Sequence, residues 1–333
     1  MRFYKSLAAI TAACILSGLC GCTAIEDGVI NGESTPTSAP ENVPFSSSEA
    51  ISESLPENTT ALTPDSDQSE PIPTQTGEDA NSPGSAINVA IGDIFMPIVN
   101  DNDWDYSALK TERNGYGQGT HFDDLNRPRG ALRFNEEFSK YNAKAINDTE
   151  EKVISLTFDQ GYENGFTGKI LDTLKEKGVK ATFFVVGDYA ERQPELVKRM
   201  IDEGHTVGSH SWHHYSMPDL SVEEATKEIM DLHEYMLTNF GIQMDKFRPP
   251  KGEYSDLSLA VTGDLGYTTV LWSFAYADWD PDNQPDPAAS LQKLIERAHP
   301  GAIYLLHSVS ETNAAILGDF IDEMTAQGYS FAS

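Results

Sequence analysis

Basic residues are scarce. The 333-residue chain carries 23 Lys and Arg against 52 Asp and Glu, a formal charge of −29 at pH 7. No Lys or Arg occurs between Lys5 and Lys110. A chain without clustered cations has nothing to neutralise a phosphate backbone, which excludes nucleic acid as a partner. The same balance argues against a substrate held by positive charge and favours a neutral polymer or small molecule. Cysteine is rarer still: Cys14, Cys20 and Cys22 all fall in the first 22 residues. The rest of the chain has no disulfide to form, so a domain of about 200 residues must rely on its hydrophobic core. No Gly-x-Gly-x-x-Gly or phosphate-loop pattern follows any predicted strand, which leaves nucleotide binding without support. Long apolar runs are missing too. Leu7 to Leu19 is the longest, and it is too short and too soon followed by polar sequence to read as a membrane span.

That run has another reading. Arg2 and Lys5 precede it, and residues 1–22 together read as an export signal. Its end, Leu19-Cys20-Gly21-Cys22, resembles the lipobox of bacterial lipoproteins, with Cys22 as the acylated residue. The expectation is a protein lipid-anchored to the outer face of the cytoplasmic membrane, or secreted to the cell wall if the signal is simply cleaved. Residues 23–90 are dense in Ser, Thr, Pro and acidic residues, with isolated large apolar residues. Such a segment cannot bury enough apolar surface to offset its chain entropy, so a disordered acidic tether is expected. Residues 91–150 hold Ile91 to Val99, then Trp104, Tyr106, Tyr116 and Phe122 among Gly, Asn and Asp. They are expected to form an irregular extension packed on the domain that follows.

From 151 to 333 the pattern alternates. Short β-branched runs, beginning with Val153 to Phe158, are separated by amphipathic segments of ten to twenty residues. The helix signals are specific. Gly178 stops a helix that begins at Thr167, Pro194 starts another, and Ser221 with Glu224 forms a capping box whose helix ends at Gly241. About seven such units imply an α/β fold with a parallel sheet, an irregular (β/α)7-type barrel, with an open doubly wound sheet as the alternative.

The carboxyl ends of the predicted strands carry the chemistry. In order they present Asp159, then His210 and His214, then Arg248, Asp278 and His307. In a parallel barrel these ends share one face, where active sites are built. His210 and His214 stand four apart, which on a helical turn puts both imidazoles on one side and suits a divalent metal such as zinc, while His213 points away. His307 has the ordinary pKa of a proton donor near neutrality, though a lone His after an apolar strand is more often structural. Arg248 precedes a rigid Pro249-Pro250 turn and could fix a guanidinium beside a carboxylate. Asp278 could orient a histidine, and Trp279 could wall a sugar pocket.

Taken in order, Thr-Phe-Asp-x-Gly at 157–161, His-Ser-x-x-His at 210–214, Arg-Pro-Pro-x-Gly at 248–252, Asp278-Trp279 and Leu-Leu-His at 305–307 resemble the NodB-type polysaccharide deacetylases, carbohydrate esterase family four. Asp148-Thr149 and Gly161-Tyr162-Glu163-Asn164-Gly165 are closer still to the PdaA type, which acts on N-acetylmuramic acid in spore-cortex peptidoglycan. The resemblance implies that His210 and His214 bind the metal, zinc in the family's usage, and that Asp159 is the general base held by Arg248. It implies an oxyanion stabilised by the metal and the Lys251 N–H, and His307 as the acid tuned by Asp278. The implied partners are peptidoglycan glycan strands, met by a monomer. One position departs: the family pattern has a second, metal-binding Asp where this chain has Gln160, and the PdaA type has Asn. A neutral amide is a poorer ligand than a carboxylate. Two other outcomes therefore stand beside the N-deacetylase: a glycan-binding pseudoenzyme, and a deacetylase or O-acetyl esterase acting on chitin or xylan.

Overall fold

The computed structural model describes residues 104–332. The expected signal, the lipid on Cys22 and the acidic tether at 23–90 lie outside the described residues.

The stretch expected to be irregular supplies regular structure. It contributes β1 (Asn114–Gly115), α1 (Arg129–Phe138) and β2 (Ala143–Lys144). Helix α1 forms because Ala131, Phe134 and Phe138 recur on one face and are buried there. They pack with Tyr141, Ala143, Ile146, Leu259 and Leu271 as a core of their own. β2 then pairs in parallel with a strand of the main sheet, Ala143 opposite Thr269 and Lys144 opposite Val270. The extension is thus part of the sheet rather than a wrapping on it.

From β3 (Val153–Gln160) the chain alternates as expected. It runs α2 (Thr167–Lys177), β4 (Thr182–Val185), α3 (Gly187–Arg192), α4 (Pro194–Asp202), β5 (Thr206–Ser209) and α5 (Val222–Phe240). It continues β6 (Lys246–Phe247), β7 (Glu253–Tyr254), α6 (Asp256–Asp264), β8 (Thr268–Val270), α7 (Pro287–Glu296), β9 (Ala302–His307), α8 (Glu311–Ala326) and β10 (Ser330–Ala332). The caps fall where the sequence put them. Ser221 and Glu224 close a capping box on α5, and Gly178 and Gly241 end α2 and α5 in the left-handed conformation. The short helix α3 has no capping side chain and gave no signal.

β3 is the axis of the sheet. β9 runs along one side of it, from Ile154 opposite Ala302 to Asp159 opposite His307. The other side is shared: β10 pairs with Val153 to Ser155, and β4 with Thr157 to Gln160. All these pairings are parallel, and β4, β5, β6, β8 and β2 follow in order. The curl closes through one isolated parallel bridge, Phe274 to Tyr304, just beyond β8. This is the expected irregular (β/α)7-type barrel. Ile154, Leu156 and Phe158 face the helical layer and pack with Ile170, Leu171 and Leu174 of α2. Phe184, Val270 and Ile303 form a separate small cluster, and the Arg248 guanidinium lies 4.3 Å over the Phe184 ring.

Candidate active site

Asp159 and Gln160 are the last two residues of β3, which runs two residues further than the apolar run predicted. Successive strand residues face opposite ways. Asp159 lines a cleft of about 1060 Å³ at the carboxyl ends of the strands, and Gln160 does not. Arg248 lies fully buried beneath that cleft. Its Nη1 donates to Asp159 Oδ1 at 2.8 Å, its Nε to the Val270 carbonyl at 2.9 Å and its Nη2 to the Leu271 carbonyl at 3.1 Å. The planar fork is thereby fixed at three points. Burial alone would raise the Asp159 carboxyl, but the Arg248 charge, with His210 and His307 adding to it, holds the carboxyl below its ordinary range.

His210 and His214 follow β5 in a loop, not on the helical turn expected from their spacing. Ser211 and His214 both take positive φ, 64° and 61°, and the Ser211 hydroxyl accepts from the His214 N–H. The loop nonetheless brings the two rings within 4.8 Å of one another. His210 Nδ1 is 2.7 Å from the Arg248 carbonyl oxygen. A carbonyl only accepts, so Nδ1 carries the proton and the Nε2 lone pair is free, 3.5 Å from Asp159 Oδ2. Burial lowers the His210 pKa, and burial with the neighbouring His210 lowers that of His214 to about 4. Both are therefore neutral near pH 7, the state a metal ligand needs.

Gln160 stands apart from this pair. It is fully buried, donates from Nε2 to the Ser308 hydroxyl, and leaves Oε1 without a partner among the described residues. No group of three or more His, Cys, Asp or Glu among the described residues is disposed to hold a metal ion. The donor chemistry fits a cation held by two neutral imidazoles with its remaining positions open.

His307 ends β9, in register beside Asp159. Its Nδ1 meets Asp278 Oδ1 at 2.8 Å, and its backbone N–H donates to Asp278 Oδ2 at 2.9 Å. Asp278 has no solvent exposure and also accepts from Asn313 Nδ2 at 2.6 Å. Asn313 in turn accepts from the Tyr276 hydroxyl. Burial opposes charge on His307, but the Asp278 hydrogen bond and charge outweigh it and raise its pKa. Asn313 and Tyr276 escaped sequence reasoning because their role depends on contacts across about 35 positions of chain.

The walls are aromatic. Tyr162, Tyr215 and Trp279 are about half exposed, and all three line the cleft. Trp279 sits 6.1 Å from His307. His213, expected to point away from the pair, bonds through Nδ1 to the buried Glu228 at 2.6 Å and stacks on Tyr215. The Gly161 to Gly165 motif is largely a brace. Glu163 accepts from the N–H groups of Gly165 and Thr167 and from the Thr167 hydroxyl, and Asn164 donates to the Val309 carbonyl. The extension braces the opposite wall: β1 pairs with β7, and Trp272 Nε1 donates to Gln118.

Residues 146–270 match the family model described as Polysaccharide deacetylase. Over 207 residues the chain is 44% identical to the peptidoglycan-N-acetylmuramic acid deacetylase PdaA of Bacillus subtilis strain 168, covering 62% of this chain and 79% of that protein. The solved structure of Bacillus subtilis PdaA, a family 4 carbohydrate esterase, is similar with a TM-score of 0.64 and 41% identity, over 68% of this chain and 96% of that one. A family 4 pseudoenzyme from Bacillus anthracis is similar with a TM-score of 0.54 and 28% identity, over 57% of this chain and 66% of its own.

Proposed function

From the premise that this chain belongs to the polysaccharide deacetylase family, the family 4 carbohydrate esterases, we propose that it hydrolyses the N-acetyl group of muramic acid residues in peptidoglycan glycan strands, with a divalent metal. One observation carries the reading. Asp159 and His307 sit side by side at the ends of β3 and β9, with their pKa values pushed in opposite directions. A carboxylate kept ionised beside an imidazole kept protonated is a base and an acid ready at the same pH.

Asp159 accepts a proton from water, and the water oxygen bonds to the acetamide carbonyl carbon. The Lys251 N–H, in the turn after β6, is this chain's own donor for the resulting oxyanion. The carbon–nitrogen bond then breaks as His307 Nε2 delivers its proton to the amine, since Nδ1 is committed to Asp278. The products are acetate and a free amino sugar. His210 and His214 would hold the cation, Zn²⁺ suiting an imidazole pair, and when bound it would supply positive charge at the acetamide oxygen and acidity at the water. Trp279, Tyr162 and Tyr215 offer ring faces to sugars. The Leu19 to Cys22 ending supports a lipid anchor, with residues 23–90 as the tether that lets a monomer reach the wall.

Acetate release from peptidoglycan is the test. Chelation is expected to abolish it and added Zn²⁺ to restore it. No acetate from any N-acetylated glycan with metal present would end this reading. The position of Gln160, tied to Ser308 and away from the cleft, favours a pseudoenzyme as the second reading. That reading requires elemental analysis to find no metal and Asp159→Asn to bind glycan undiminished.

Replacing Asp278 by Asn removes what raises the His307 pKa. His307 works protonated, so activity falls as pH rises through its pKa. The alkaline limb of the pH–rate profile should therefore move down by about one unit or more. An unmoved limb would take Asp278 out of this role.

A further inference from the structure

The barrel has a second end. A cavity of about 320 Å³ opens at the amino ends of the strands, away from the cleft. Alternation along β3 connects the two spaces. Val153, Ser155 and Thr157 line the cavity, and Asp159, the next residue on that face, lines the cleft. The small cluster of Phe184, Val270 and Ile303 separates them. All three residues form the apolar floor of the cavity, and the Arg248 guanidinium lies over the Phe184 ring.

Two lysines approach this cavity from either side of β8. Lys246 on β6 stands level with Thr268, and Lys144 on β2 stands level with Val270. Both line the cavity. Burial lowers the Lys144 pKa and the Lys246 charge lowers it further, with Asp245 acting the other way, so the two ammoniums are near neighbours. Lys144 Nζ donates to the neutral Asn147 Oδ1 at 3.0 Å, and no carboxylate among the described residues pairs with it. Asn147 is itself fixed, donating from Nδ2 to the Ser155 hydroxyl at 3.1 Å. Lys246 has the exposed Asp245 at 3.4 Å, a pairing of small worth in water. Glu151, the one carboxylate among the lining residues, is exposed. Lysines that only solvated a barrel end would extend apart into bulk water. Two ammoniums held close, one of them part-buried and without a counter-charge, are stabilised when an anion lies between them.

We propose that this cavity is a second binding site, separate from the active site, for a small aliphatic carboxylate. Its charge lies between Lys144 and Lys246, and its hydrocarbon tail reaches the floor of Phe184, Val270 and Ile303. One of the two cations is already offset by Asp245, so the site calls for a single negative charge. The volume is that of about ten waters at ~30 Å³ each, more than acetate fills, so a longer chain is preferred. The site does not depend on the deacetylase reading.

The test titrates the full chain with acetate, butyrate and hexanoate, and with hexanol and hexylamine as probes of the tail alone and of the opposite charge. Binding is measured by calorimetry, and its place by NMR of the Val270 and Ile303 methyls and of the His307 ring. The carboxylates should move the two methyls saturably and leave the His307 ring unmoved. Affinity should rise about fourfold with each added methylene, the equivalent of ~0.8 kcal/mol. Lys144→Met and Lys246→Gln should each weaken hexanoate by about 10- to 100-fold, the range of a charge-assisted hydrogen bond. Hexanol or hexylamine binding as tightly as hexanoate would overturn the proposal, and this comparison needs only the wild type. Hexanoate that moves the His307 ring and not the methyls, or that binds both variants undiminished, would overturn it as well.

Discussion

Asp159→Asn is expected to lower acetate release by about 10²- to 10⁴-fold, the usual worth of a general base. The amide keeps the carboxylate's shape but cannot take a proton from water. It also leaves the Arg248 guanidinium, which has no solvent exposure, without its counter-charge. Breaking a buried pair from one side costs about 3–5 kcal/mol, so the variant should also unfold at lower denaturant concentration. Rates must then be normalised to the folded fraction. A folded Asp159→Asn that releases acetate at the wild-type rate would remove Asp159 from the chemistry. The pair's contribution to stability is full above the ordinary carboxylate range and is lost as pH falls through the depressed Asp159 value.

Arg248→Met should be the more damaging change for the fold. It strips three hydrogen bonds at once, to Asp159 and to the Val270 and Leu271 carbonyls, and leaves a buried carboxylate uncompensated. The expected loss is again about 3–5 kcal/mol, measured by denaturant unfolding. In whatever protein folds, burial is no longer opposed by the guanidinium, so the Asp159 pKa rises. Asp159 works ionised, and activity falls as pH drops through that pKa. The acid limb of the pH–rate profile should therefore move to higher pH. Lys is not expected to rescue, because one ammonium cannot span a carboxylate and two carbonyls as the planar fork does. Wild-type stability together with an unmoved acid limb would show that Arg248 is not the anchor described here.

Much of this was legible because it is local. Ser221 with Glu224, Pro194, Gly178 and Gly241 mark helix ends through short-range backbone chemistry, and they do so in the structure. The polar residue after each apolar run was legible too, because parallel strands place such residues on one face. What depends on tertiary pairing was not. β2 is only two residues long and exists because β8 pairs with it. Helix α1 carried a readable signal in Ala131, Phe134 and Phe138, obscured by the Arg, Asn and Glu between them. His210 and His214 lie ring to ring, but by a geometry other than the one their spacing suggests: two left-handed residues, not a helical turn, bring the rings together. Gln160 shows the limit most plainly. Its identity was evident, but its alliance with Ser308 lies 148 positions away.

The register of Asp159 beside His307 has a further consequence. The spacing between the two strands, about 4.8 Å, is a property of the peptide ladder and not of any side chain. Insertions that reshape the rim could change which polymer is admitted without altering the span between proton acceptor and proton donor. The reaction and the choice of polymer can therefore diverge independently in such a scaffold.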